Sequence, residues 1–150
     1  MHRKMLPMAL LNVCEGSCVE GRTRLQKLVF LMEQELDEVS AVSLDSPDYN
    51  FIPYDYGPFS KELYDDLDSL EEAGLIEVEE EPMADGKVKY TYQLTEQGQS
   101  WVQNQLADSS ADKAHSLAEG LAAEYDDMLL SDLIDEVYAE YPEYAKNSVW

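Results

Sequence analysis

Apolar side chains return at a helical interval from the first residues onward. Met5, Met8, Ala9, Asn12 and Val13 share one side of a helix over residues 4–15, and Leu10 and Leu11 widen its apolar face. Gly16 and Ser17 end it, and Cys18 to Gly21 reads as a short connection. Leu25, Leu28, Val29, Met32 and Leu36 then mark the buried face of a second helix, broadened by Phe30 and Leu31. Thr23 is its candidate cap, with Arg22 alternatively already inside it. Ser60 caps a third helix over residues 60–73, with Leu63, Tyr64, Leu67 and Leu70 on one side, and Gly74 supplies the left-handed residue that ends it. The period then changes from helical to alternating. Residues 76–81 form one strand, the Asp85-Gly86 pair marks a turn, and Val88, Tyr90, Tyr92 and Leu94 line one side of the returning strand. Thr95 caps a fourth helix carrying Trp101, Val102 and Leu106. Asp108-Ser109-Ser110 breaks it, and residues 113–123 and 129–141 form two further helices. In the last, Leu130, Leu133, Ile134, Val137 and Tyr138 are the apolar face, and Pro142 stops it.

Residues 40–58 interrupt this order with a long connection. Its end, Phe51 to Pro58, is too aromatic for an ordinary loop, and two prolines and a glycine argue against a regular helix or a central strand. Its rings must pack on something, since a free aromatic loop would expose a large apolar patch. The predicted fold is mainly α with a small β-hairpin: a winged helix-turn-helix with additional C-terminal helices. It forms one domain over 1–150, with 1–107 as the winged-helix core and 108–150 as a helical extension.

Charge changes the picture most. The chain of 150 residues holds 32 acids and 10 bases, a net charge of -22. At molar salt the Debye length falls to about 3 Å and such self-repulsion is screened. Acids spread from Glu33 to Glu143 describe a solvated surface over a whole fold, which predicts the cytoplasmic protein of a salt-in halophile. The competing reading is an acidic mesophilic protein that mimics nucleic acid or binds basic partners. Residues 1–30 are the exception. Arg3, Lys4, Arg22, Arg24 and Lys27 stand there against Glu15 and Glu20, a net of +3. No apolar run reaches the ~18 to 20 residues of a membrane helix, and the Arg3-Lys4 pair precedes no signal-peptide pattern.

Catalytic patterns are lacking. His2 and His115 form no recognisable pair, no serine sits in a nucleophile elbow, and no glycine-rich loop carries a phosphate-binding lysine. In so acidic a chain, Asp65-Asp66 and Asp126-Asp127 read as solvated helix surface. Cys14 and Cys18 are spaced for half a zinc site but lack a second pair, so they read as small core or semi-buried residues. The expectation is a non-enzymatic protein with no cofactor and no metal.

Two separated blocks resemble a known group. Gly21 to Leu31 is similar to the opening signature of Panacea-type winged-helix domains, with their "LQKLLYL" run matched by Leu25 to Leu31. Tyr56-Gly57-Pro58 matches their "YGP", and Glu62-Leu63-Tyr64 an "ELY" element in the helix that follows. Tyr141-Pro142-Glu143-Tyr144 resembles the YwgA-like branch. The resemblance implies a protein-interaction module like the SocA-like antitoxins and adaptors, possessing a protein partner such as a toxin. The extra C-terminal helices and the acidity depart from simple members.

The alternative is a DNA-binding winged-helix regulator. Its third helix would enter the major groove, yet that helix carries six acids and one base, Lys61. Lys61, with Lys87 and Lys89 in the wing, are the candidate nucleic-acid contacts. The candidate partner surface lies where Arg22, Arg24 and Lys27 meet Phe51, Tyr54 and Tyr56. For Arg24 and Lys27, internal anchoring competes evenly with an interface, whereas Arg22 is expected to be exposed. Gln26 is expected to hold the aromatic segment through amide hydrogen bonds. A homodimer through the last helices is also expected, although the same apolar residues would serve to complete a monomer core.

Overall fold

The wing is built by three strands, one more than the hairpin anticipated. In the computed structural model, which describes residues 1–39 and 42–150, β1 (Cys18–Glu20) pairs antiparallel with β5 (Val88–Leu94), and β5 pairs with β4 (Ile76–Pro82). The strand order is β1-β5-β4. Val19 sits opposite Tyr92, and Val78 lies opposite Tyr92 from the other side. With α1 (Met5–Val13) before β1, and α2 (Arg22–Asp37) and α3 (Lys61–Glu72) before β4, the order is that of a winged helix-turn-helix. Helices α4 (Glu96–Gln105), α5 (Ser109–Tyr125) and α6 (Leu130–Glu140) follow, and a single turn covers Pro142–Ala145. The fold is therefore mainly helical, with small antiparallel sheets and additional C-terminal helices.

Helix α1 is central. Met5 to Leu11 are all buried, because α5 and α4 cover the side of α1 that α2 leaves open. A helix that is apolar all round belongs in such a position. Asn12 ties it outward: its side-chain amide bonds His115 Nε2 on α5 at 2.9 Å, and His115 Nδ1 bonds Glu119 at 3.1 Å.

Helix boundaries follow local chemistry. Gly21, not Thr23, precedes α2, and Arg22 is already helical. Ser60 Oγ accepts from the Leu63 N–H, which caps α3. At its other end Gly74 has φ +77; its N–H bonds Glu71 O, and Leu75 N–H bonds Leu70 O. This pair of bonds satisfies carbonyls the helix leaves open. Thr95 caps α4 by accepting from Gly98 N–H and donates its hydroxyl to Gly74 O, joining the end of α3 to the start of α4. Asp108-Ser109-Ser110 breaks α4 as expected, but α5 begins there and not at Lys113. Asp108 Oδ1 accepts from the N–H groups of Ser110 and Ala111, so the break is also the next helix's cap.

The connection after α2 contains regular structure. Of the stretch expected over 40–58, residues 40 and 41 lie outside the described residues. Ile52–Tyr54 (β2) and Gly57–Phe59 (β3) form a two-stranded hairpin, against the expectation of an irregular segment. Pro53 lies opposite Pro58 in it. Two residues without N–H cannot form a bonded pair, so the ladder bonds fall on the flanking pairs and the prolines cost none.

One ring gathers the aromatic segments. Phe30 on α2 meets Phe51 at 5.3 Å, Tyr141 at 5.1 Å and Tyr144 at 4.7 Å, all edge-on. On α6, Leu133, Ile134 and Val137 are fully buried within the chain. Three of the five residues of the face that suggested a pairing helix are thus used within the chain, while Leu130 and Tyr138 are half-buried.

Candidate functional site

Helix α2 holds the inserted hairpin with three buried polar side chains. The Gln26 amide donates to Ser60 O at 3.0 Å and accepts from Ser60 N–H at 2.9 Å, the two-way clasp its chemistry allows. Lys27 Nζ donates to Pro58 O at 3.0 Å. Glu33 accepts from Tyr49 N–H at 3.1 Å. Burial pushes the Lys27 ammonium down to about 7 and the Glu33 carboxyl up to about 7, since each charged form is held away from water.

Gly57 is required at this junction. Its φ is +101, and a Cβ there would stand 2.9 Å from the Tyr138 ring and 3.3 Å from Lys27 Cε. The residue therefore serves close approach as well as the turn.

The predicted partner residues divide into an inner and an outer set. Lys27 and Phe51 are buried and support the hairpin from beneath, so neither side chain presents an outer contact surface. Arg24 reaches the end of α5, where Nη2 donates to Met128 O at 2.7 Å and Nη1 to Tyr125 O at 3.5 Å. A cation suits carbonyls at a helix C-terminus. Arg22 is half-buried, contrary to expectation. Its guanidinium lies 3.6 Å from the centre of the Tyr90 ring and 4.7 Å from that of Tyr64, and Nε donates to Tyr92 OH at 3.2 Å. Tyr54 and Tyr56 remain outside, at 51% and 39% exposure. Tyr54 leans on Phe59 at 5.0 Å, and Tyr56 meets Trp150 edge-on at 6.3 Å. Hence the +3 of the first thirty residues does not become a basic patch. Arg3 also turns inward, forming a two-pronged bond to Asp66, which accepts a further bond from the buried Tyr49 hydroxyl. Asp66 is buried, so the Asp65-Asp66 pair is only half solvated surface.

Arg22, Lys27, Tyr54, Tyr56, Phe59 and Tyr64 border one cleft of about 260 Å³. The three rings flanking Arg22 were visible in sequence only as an alternating strand, Tyr90 and Tyr92, and a helix residue, Tyr64. Nothing in their spacing announced that they converge on one cation.

The predicted nucleic-acid residues are spread over two elements. Lys61 opens α3, highly exposed, 3.6 Å from Asp65. Lys89 pairs with Glu20 at 3.0 Å, linking β5 to β1. Lys87 stands exposed beside the wing turn. The rest of α3's exposed side is Asp65, Asp68, Ser69, Glu71 and Glu72. Cys14 and Cys18 are free thiols, and burial pushes Cys14 up to about 12, away from the thiolate a metal requires. Among the described residues no cluster has three or more metal-ligating side chains, and no helix is long and apolar enough to cross a membrane.

Residues 58–104 match the model of the transcriptional regulator PadR-like family. The match spans most of β3, α3, strands β4 and β5 and most of α4, about a third of the chain. It marks this segment as regulator-like and places the protein among winged-helix, regulator-like, non-enzymatic proteins. No curated protein and no solved structure matches the chain.

Proposed function

We propose that the protein is a DNA-binding transcriptional regulator that addresses duplex DNA with α3 and the β4–β5 wing. The observation carrying this reading is the PadR-like match over α3 and the β4–β5 hairpin that follows it in the chain. Lys61 at the start of α3 and Lys87 at the wing turn are its phosphate contacts. So few cations imply a shallow dependence of affinity on salt, because few counterions are released. Base edges, read from α3, then carry most of the sequence preference. Paired half-sites call for a homodimer, and a salt-rich cytoplasm is the setting to which the acid excess is suited.

The test is repeated selection of random-sequence duplexes by the folded protein at 0.2 M and 2 M KCl. An enriched motif is expected, with affinity falling at least tenfold in the Lys61→Glu, Lys87→Glu double variant. No enrichment at either salt overturns the reading.

A protein-interaction module is the second reading. Asp65, Asp68, Glu71 and Glu72 on α3 favour it, because they suit a basic protein partner better than a polyanion. The resemblance to Panacea-type and YwgA-like domains supports the same reading, with a toxin as one such partner.

A further inference from the structure

We propose that Lys27 is a covalent receptor for small aldehydes, which reach its amine through the cleft between α2, the β2–β3 hairpin and α3 and are held there as an imine. Burial sets this lysine apart. The other six lysines of the chain are exposed or half-buried, so water solvates their charge whether or not a carboxylate stands near. Lys27 is 3% exposed, and among the described residues the Pro58 carbonyl is the one acceptor bonded to its Nζ. A buried amine without a counter-charge sheds its proton readily. The neutral form keeps an N–H for Pro58 and gains a free lone pair, which makes it a nucleophile toward carbonyl carbon.

The surroundings leave the amine in that form. Arg22, Asp55, Tyr56 and Tyr64 border the same cleft, and Tyr138 of α6 packs with Lys27 against Gly57, yet none of them bonds Nζ. Burial alone lowers the ammonium from 10.5 to about 7. Near neutral pH much of Lys27 is therefore nucleophilic, against on the order of one in a thousand for an ordinary exposed lysine. The cleft, about 260 Å³, has room for an alkyl body against the rings of Tyr54 and Phe59. Space is tighter toward Gly57, where an added Cβ would lie 3.3 Å from Lys27 Cε, so the adduct extends on the cleft side.

In the reaction Nζ attacks the carbonyl carbon, a C–N bond forms, and a proton passes from nitrogen to oxygen to give a carbinolamine. The C–O bond then breaks, and the oxygen leaves as water with the second nitrogen proton. Amine and aldehyde have become imine and water, and no oxidant or reductant is consumed. The neutral imine nitrogen carries no hydrogen, so Pro58 O loses its Lys27 donor. Capture of the aldehyde thus unties β3 from this side chain of α2. Lys27 lies outside the PadR-like segment, and capture needs no DNA, so this site is independent of the regulator reading.

The experiment treats the folded full chain in 2 M KCl at pH 7.5 with propanal and cyanoborohydride, which fixes each imine as a propyl amine. Peptide mass spectrometry then reads every lysine. Lys27 should be propylated about tenfold faster, or more, than the exposed Lys113 and Lys146. At pH 10 the exposed lysines should accelerate while Lys27 changes little. Without the reductant, propanal should speed amide hydrogen exchange over residues 52–59 several-fold, and near-UV circular dichroism verifies that the chain stays folded. All three readouts use the wild-type chain, so none depends on a buried variant folding. Lys27 propylated no faster than Lys113 and Lys146, propylated only after the near-UV signal is lost, or captured with exchange over 52–59 unchanged overturns the proposal.

Discussion

Lys27 and Glu33 hold opposite ends of the inserted segment, and both titrate near neutrality in the folded chain. Lys27 falls from 10.5 to about 7 on folding. Between those values the unfolded chain binds the proton that the folded chain releases, so this residue makes stability rise with pH. Glu33 climbs from 4.5 to about 7, and between those values the folded chain keeps a proton the unfolded chain has lost. Stability therefore falls as pH rises through that lower window. Together they place a stability minimum near pH 7, each limb amounting to about a few kcal/mol. Urea midpoints of Lys27→Met minus wild type should be highest below pH 7 and decline toward pH 10; Glu33→Gln should flatten the acid limb alone. Parallel profiles for all three proteins would show that neither group exchanges protons on folding. These roles were only partly legible. Gln26 announced its clasp through its residue type, but Asp66 looked like its exposed neighbour Asp65, because its partner Arg3 lies 63 residues away and spacing along one helix cannot show it.

Among the elements, α3 shows how far a local signal carries. Ser60 and Gly74 set its two ends through bonds within a few residues, and both were readable from their chemistry. Gly74→Ala places a Cβ at φ +77 and 2.9 Å from the Gln97 side chain. It should cost about 1 kcal/mol or more and lower Tm by about 2–4 °C, as thermal denaturation will show. An unchanged Tm would mean the α3 end is not held in that conformation. Strand β1 gave no comparable signal. Three residues are too few for a period, and its partner β5 is some seventy residues away. The β2–β3 hairpin was hidden differently: its prolines read as breakers, and only their opposed placement makes them harmless. Arg22 joins both cases, since its exposure could be judged only after β5 and α3 had been brought to it.

At the scale of the whole molecule, the net charge of -22 predicts a fold that depends on screening salt. The few ion pairs leave most of the acids with no cation opposite them, so withdrawing salt restores repulsion over the surface. Near-UV circular dichroism and small-angle scattering from 2 M to 0.1 M KCl should show loss of tertiary signal together with expansion. A compact chain throughout would place the charge outside the balance that governs folding. The Phe30 cluster bears on a different moment in the protein's life. Its ring, buried near the start of the chain, is enclosed by Tyr141 and Tyr144 close to the end. During synthesis at about 5–20 residues per second, the last turn is still inside the ribosome when α2 has emerged. The growing chain must therefore carry an open aromatic site for seconds, and its core closes only once Tyr141 and Tyr144 have emerged. A nonsense truncation before residue 141 would leave that site open for good, marking the fragment for chaperones or proteases even with every helix from α1 to α5 in place.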